Sequence, residues 1–423
     1  MPAETIHLKG GRIVCPATGV DGVGDLWIKG GQIVGEADAG GSVTVIDCSG
    51  KVVAPGFTDL GAELCDPGKT WREDLASGSE AGAAGGFTTI VASPRTDPVL
   101  DTPVAIADTL NRCMTVSGAR IEVSGALTHG LDGAHMSELG LMVDAGAVAL
   151  SDGRKSMMNA ALLRRSLDYA RPFGVPVMLR PGDTDLEGAG VMHEGDVSTQ
   201  IGLRGIPAAA EEIGVAKGIA LARLTGAKVH LSQVTTAVSV ELLRTAKASG
   251  VEVTASVPAR HLVLTDRAVD HSVYNTSTRL LPPLRSEGDR DSVRAGVADG
   301  TIDCVTADHV PMTSLEKELE YMHAKPGAMG LETAFSAALT ALGDIRTVVV
   351  ALAVKPAAVI GREACLSERS VADVVVLDIE AQRTVEGPYR SKGLNEPLDG
   401  TVLSGQVVAT IRDGCIIYGP HAG

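Results

Sequence analysis

The stretch Val53–Gly68, VAPGFTDLGAELCDPG, decides how the rest of the chain is read. Apolar and β-branched residues run without a break into a loop of small and polar residues. That is how a buried parallel strand hands over to the loop at its C-terminal end. The same texture recurs in GGFTTIVAS, RIEVSGAL, AVALSDG, VPVMLR, KVHLSQV, VEVTASV and TIDCVTAD. Between these runs lie amphipathic stretches such as DLASGSEAGAAG, NAALLRRSLDYARPFG, PAAAEEIGVAKGIALARLTG and TAVSVELLRTAKASG. Strand followed by helix, about eight times over, predicts an α/β fold, a (β/α)8 TIM-type barrel.

The two ends differ from this middle. IHLKGGRIV, DLWIKGGQIV and VTVIDCSGKVV alternate short strand-like runs with glycine turns, and ADVVVLDIE, TVLSGQVVATIRDG and IIYG repeat the pattern at the far end. Both ends are expected to meet in one small β-sandwich domain. The predicted organisation is residues 1–53 and 356–423 for that domain and 54–355 for the barrel.

With 423 residues, of which 44% are hydrophobic but only 3% aromatic, the core must be built from Val, Leu, Ile and Ala. The net charge of −15 argues against nucleic acid or an anionic membrane as a partner. The N-terminus lacks a signal-type apolar run, and no segment approaches the ~20 apolar residues of a membrane span. Seven cysteines without a C-x-x-C spacing suggest reduced thiols. A cytoplasmic protein is the expectation.

Barrels of this type place their chemistry where the strands end. Those positions hold Asp59, Gly61, Glu63, Cys65 and Asp66, then Ser93, Arg95 and Asp97, then Thr128 and His129. The later strands offer Asp152, Gly153 and Arg154, Arg180 and Asp183, His230 and Gln233, Arg260 and His261, and finally Asp308 and His309. A hydrolytic zinc pair needs several convergent His or carboxylate ligands with a position left open for water. Only His230, His261 and His309, with His129 a weaker fourth, stand near strand ends, and no His-x-His or H-E-x-x-H spacing occurs. Glu63, Asp152 and Asp308 are the set that would gather an oxygen-loving ion such as magnesium or calcium. The same carboxylates are equally placed to pair with Arg95, Arg154 or Arg180.

Across nearly its whole length the chain resembles the long, class I dihydroorotases of the amidohydrolase superfamily. The motifs that carry this resemblance are PGFTDL, AGAAGGFTTI, TDPVLDT, NAALLRRSLDYA, GIPAAAEE, LPPLRS, DGTIDCVTADHVP, Glu316-Lys317, GLETAF and SKGLNEP. Most belong to framework. The residues of the family's chemistry are a different matter. By this resemblance its first-strand His pair falls on Gly61 and Glu63, and the neighbouring substrate-binding Arg on Cys65. A substrate-binding Asn falls on Arg95, and the bridging acidic residue on Gly153 or, one residue away, Asp152. The strand-five His falls on Arg180, the strand-six His on Gln233, an Asn on Leu281 and a substrate-loop His on Met312. The strand-eight Asp, ligand and general acid/base in the family, is kept as Asp308, with His309 beside it.

The resemblance therefore implies a dihydroorotase-like chain of pyrimidine biosynthesis without the family's zinc, so that no metal and no cofactor are expected. In lacking the His pair it resembles the family's inactive members, which serve as structural subunits of aspartate transcarbamoylase. That partnership, together with self-association, is the expected role, and Asp308 is expected to persist without function. Glu63, Arg95, Asp152, Arg180, Gln233 and His309 would line a vestigial or substrate-binding site. Two other functions remain open at this point. One is a cyclic-amide hydrolase with a metal site rebuilt around Glu63, Asp152 and Asp308. The other is a sensor that binds an anionic metabolite through Arg95 and Arg180.

Overall fold

The computed structural model describes residues 5–40, 42–269 and 272–422. Its centre is a parallel barrel. The strands, numbered one to eight in chain order, are Phe57–Ala62, Phe87–Ala92, Arg120–Gly125, Ala149–Ser151, Val177–Leu179, Val229–Leu231, Val253–Pro258 and Cys304–Thr306. Each pairs in parallel with the next. The seam between strands eight and one is bridged rather than zipped. The Ala307 N–H donates to Asp59 Oδ1 at 2.7 Å, and the Glu63 N–H donates to the His309 carbonyl at 2.9 Å.

The outer helices start and stop where their sequences dictate. Leu75–Ala84 begins at Asp74, whose side chain accepts from the Ser77 N–H in a capping box. Ala160–Ala170 is capped by Asn159 and Ala237–Ala248 by Thr236, each through a side-chain oxygen. Ala209–Thr225 ends at left-handed Gly226. Gly85 allows the first helix to pass against the Leu331 carbonyl, where a Cβ would collide.

Two apolar layers hold the barrel. Leu60, Val91, Ala149, Met178 and Cys304 point inward and fill its lower interior. The opposite faces of the strands pack on the helices in one large core. Three of the chain's four phenylalanines meet there, with Phe57 5.9 Å from Phe87 and 5.7 Å from Phe335 between ring centroids. They concentrate aromatic burial at the start of strands one and two.

The chain's two ends join in one eight-stranded mixed sheet. Val52–Pro55 from the N-terminal part runs antiparallel to Val374–Leu377 from the C-terminal part, which makes the domain continuous. The first strand, Thr5–Cys15, shifts register between Leu8 and Gly11. Before the shift it runs parallel to Val43–Asp47, and after it to Val52–Val53. The sheet thus folds over a core of its own, in which Leu8, Ile28, Ile33, Val374, Val376 and Ile411 are buried. All seven cysteines are free, and all but Cys415 are buried.

Candidate functional site

At the C-terminal ends of the strands the dominant feature is one carboxylate held by cations. Arg154 Nη1 donates to Asp308 Oδ1 at 2.7 Å, and Arg260 Nη1 donates to Asp308 Oδ2 at 2.8 Å. The Gln233 side-chain amide also donates to Asp308 Oδ1. Arg260 is fixed further by the carbonyls of Ala307 at 2.8 Å and Met329 at 3.0 Å, and Arg154 by the Leu281 carbonyl. All three charged side chains are less than one-tenth exposed. Asp308 and Gln233 both have positive φ, 45° and 61°, a conformation that non-glycine residues adopt only under constraint.

Around this centre Glu63, Asp152 and Arg180 are each paired locally. Glu63 Oε1 accepts from Arg95 Nη1 at 2.5 Å. Asp152 is buried and accepts from the Thr128 N–H at 3.0 Å and the Thr128 hydroxyl at 2.7 Å. Burial pushes its carboxyl up, and those two bonds oppose the shift. Arg180 donates to Glu187 Oε1 at 2.5 Å and to the Ser156 hydroxyl at 2.9 Å. Burial lowers its guanidinium. Cys65 is a buried thiol pushed up to about 12 by burial, the opposite of an activated nucleophile.

Beside Asp308 the mouth holds a chamber of about 40 Å3. Its wall includes the serines at 93, 124, 151, 232 and 256, with Asp59, Arg154, Gln233 and Asp308. The volume suits a water or two, far below the roughly 300 Å3 of an ordinary small-molecule site. Asp59 is fully buried, and its carboxyl is pushed up to about 6 by burial, an effect the Ala307 N–H partly opposes. Asp59 Oδ2 and Gln233 Oε1 have no protein partner among the described residues.

Residues 50–239 match the family described as dihydro-orotase-like. Over nearly their full length, relatives called dihydroorotase are similar to the chain. One from Pelotomaculum thermopropionicum is 43% identical, covering 97% of both chains, and one from Anaeromyxobacter sp. (strain K) is 41% identical, covering 98% of both. The chain belongs to the dihydroorotase-like family. Its fold is that of the L-hydantoinase (dihydropyrimidinase) from Arthrobacter aurescens, with a TM-score of 0.85 at 23% identity over 99% of this chain and 96% of that one.

The residues of this dihydroorotase-like chain do not fit a zinc pair. Gly61 offers no donor, and its φ of 130° is a glycine backbone that a histidine would adopt only under strain. Glu63 and Asp308 are already engaged by guanidinium groups, Arg180 presents only donors, and Gln233 turns its amide N–H to Asp308. Among the described residues no group of three or more His, Cys, Asp or Glu is arranged to hold a metal ion. Glu63, Asp152 and Asp308, the set expected to gather magnesium or calcium, each have separate partners instead.

Other expectations are also redrawn. Asp152 pairs with Thr128 and with no arginine, because the loop after strand three is what faces it. Arg95 and Arg180, expected to take an anionic metabolite, are held by Glu63 and Glu187. His309 turns away from Asp308. The Gly330 N–H donates to its Nδ1 at 3.2 Å, so Nε2–H donates to Glu73 Oε2 at 3.1 Å. Burial would raise the Glu73 carboxyl, but bonds from His309, Ser391 and Ser77 hold it below its usual value.

The remaining histidines are similarly occupied. His230 lies inside the barrel between the hydroxyls of Thr254 at 2.9 Å and Ser256 at 3.0 Å. His261 sits against the carbonyls of Pro282 and Pro283 at 3.3 Å. Burial holds both imidazoles down at about 3. His129 is half exposed, 3.6 Å from Asp101.

Arg260 is the residue that sequence reasoning passed over. It was visible at the end of strand seven, yet nothing nearby in sequence marks it as the partner of Asp308. Lys317 stood in the sequence beside Glu316 as part of the family resemblance, with nothing to mark it as buried. Lys317 is buried under the loop after strand eight, donating to the carbonyls of Thr276 and Lys325 at 2.8 Å each. Burial, reinforced by Arg279, lowers its ammonium to about 7. These bonds tie helix Ser314–Lys317, within the segment 310–327, onto the mouth.

Proposed function

We propose that this chain is a catalytically silent dihydroorotase-like protein that acts as a structural partner of aspartate transcarbamoylase in pyrimidine biosynthesis. The observation that carries the proposal is the enclosure of Asp308 by Arg154, Arg260 and Gln233. A metal-dependent amide hydrolase needs that carboxylate free to bind a metal and to move a proton to and from the reacting water. Here both oxygens accept from fixed donors, and among the described residues no metal-binding constellation stands beside them. The barrel and its flanking domain are complete, however, so shape has been retained. A retained shape with a neutralised centre suits a subunit whose surface is its function. The protein in this view is cytoplasmic, self-associating and free of zinc.

The relatives' shared name favours a second reading, an active cyclic-amide hydrolase with a rearranged centre. One experiment separates the two. Aspartate transcarbamoylase is purified with and without this chain, its mass measured by light scattering and its carbamoyl transfer assayed. Dihydroorotate hydrolysis is followed in the same samples. The proposal expects a larger assembly or altered transfer activity, and no hydrolysis above background. Unchanged mass and unchanged transfer overturn it, and metal-dependent hydrolysis establishes the alternative.

A further inference from the structure

A ligand-sized cavity lies at the end of the barrel opposite the mouth. A cavity of about 630 Å3 opens between the N-terminal ends of strands five to eight. That volume is within the range of about 300–1,000 Å3 typical of small-molecule sites. Its walls include the apolar side chains of Val251 and Val359, and three lysines reach it from three elements. Lys228 immediately precedes strand six, Lys247 lies in the last turn of the following helix, and Lys355 opens the helix Lys355–Val359.

The charges there do not cancel. Lys247 donates to Asp303 Oδ2 at 2.7 Å, and the Ala255 N–H donates to the same oxygen at 2.9 Å, so that pair is balanced. Among the described residues the Lys228 ammonium has only the Gly174 carbonyl, at 2.9 Å. Lys355 has no hydrogen-bond or ion-pair partner among the described residues. Two ammonium groups are thus left over, against one exposed carboxylate, Glu252, on the same wall. In a chain with a net charge of −15 this local excess runs against the overall field.

We propose that this cavity binds a phosphomonoester carrying a compact apolar body. A phosphomonoester is close to a dianion at neutral pH, matching the two uncompensated lysines. Lysines are flexible point charges that suit a many-sided phosphate, whereas a planar carboxylate is better held by the fork of an arginine, and the cavity has none. The valine walls take the apolar body. Glu252 opposes the phosphate, so removing its charge strengthens binding. The cavity lies at the far end of the barrel from Asp308, and its occupancy is independent of whether the mouth is catalytic.

The test is calorimetric titration of the full chain with phenyl phosphate, alongside inorganic phosphate, benzoate and phenol. Phenyl phosphate is expected to bind saturably and about tenfold more tightly than any of the other three. The K228A/K355A double variant, altered only at exposed residues, loses about tenfold in affinity at an unchanged unfolding midpoint, and E252Q gains about threefold. Three results each overturn the proposal: no saturable binding of phenyl phosphate, equal binding of benzoate, or unchanged affinity in the double variant.

Discussion

Asp308 shows how a carboxylate at a strand end can be enclosed by cations. As a buried carboxylate held by two guanidinium groups it neutralises charges that would otherwise sit unpaired in a low-dielectric interior. Truncating it strands Arg154 and Arg260, and D308A is expected to lower stability by about 3–5 kcal/mol in urea unfolding. A loss below about 1 kcal/mol would mean that the arginines find other partners and that Asp308 is not the keystone of the mouth. His230 yields a second prediction at this scale. Its folded-state value is about 3 against an ordinary 6.5. Below pH 6.5 the unfolded chain takes up a proton that the folded chain refuses, so stability falls by about 1.4 kcal/mol per pH unit for this residue. Glutamine in its place does not titrate. The stability gap between wild type and H230Q should therefore narrow as the pH is lowered from 6.5 towards 4, and a gap that does not change with pH would contradict a buried neutral imidazole.

At the scale of elements, the mouth is sealed by segments far apart in sequence. Glu73, on the loop after strand one, accepts from His309 after strand eight and from Ser391 in the C-terminal segment. Asn395 Nδ2 donates to the carbonyls of Val310 at 3.1 Å and Gly327 at 2.9 Å, fastening that same segment over the barrel. E73A is expected to release it, with faster amide hydrogen exchange at residues 391–395 and a stability loss of about 2–4 kcal/mol. Exchange rates no different from wild type would show that Asn395 alone suffices. The strands themselves were legible because β-branched runs and glycine-bounded loops follow directly from burial on both faces. The seam-bridging Asp59, the turning of His309 and the partnership of Arg260 with Asp308 were not. They depend on which side chains meet across the barrel and on a left-handed backbone at Asp308, and no local pattern encodes either. The loss at Gly61 was legible as a missing donor, but the backbone change that goes with it was not.

For the whole molecule, Arg154, Arg260 and Gln233 occupy the barrel mouth around Asp308. Restoring a single ligand would not reverse this, since Arg154 and Arg260 would still enclose Asp308 and Gly61 would still carry a glycine backbone. The most direct measurement is the metal content of the full chain, expressed with added zinc and purified without chelator, by inductively coupled plasma mass spectrometry. Fewer than about 0.1 zinc ions per chain are predicted, because no convergent ligand set is found among the described residues. A stoichiometric transition metal, one or two ions per chain, would contradict the account.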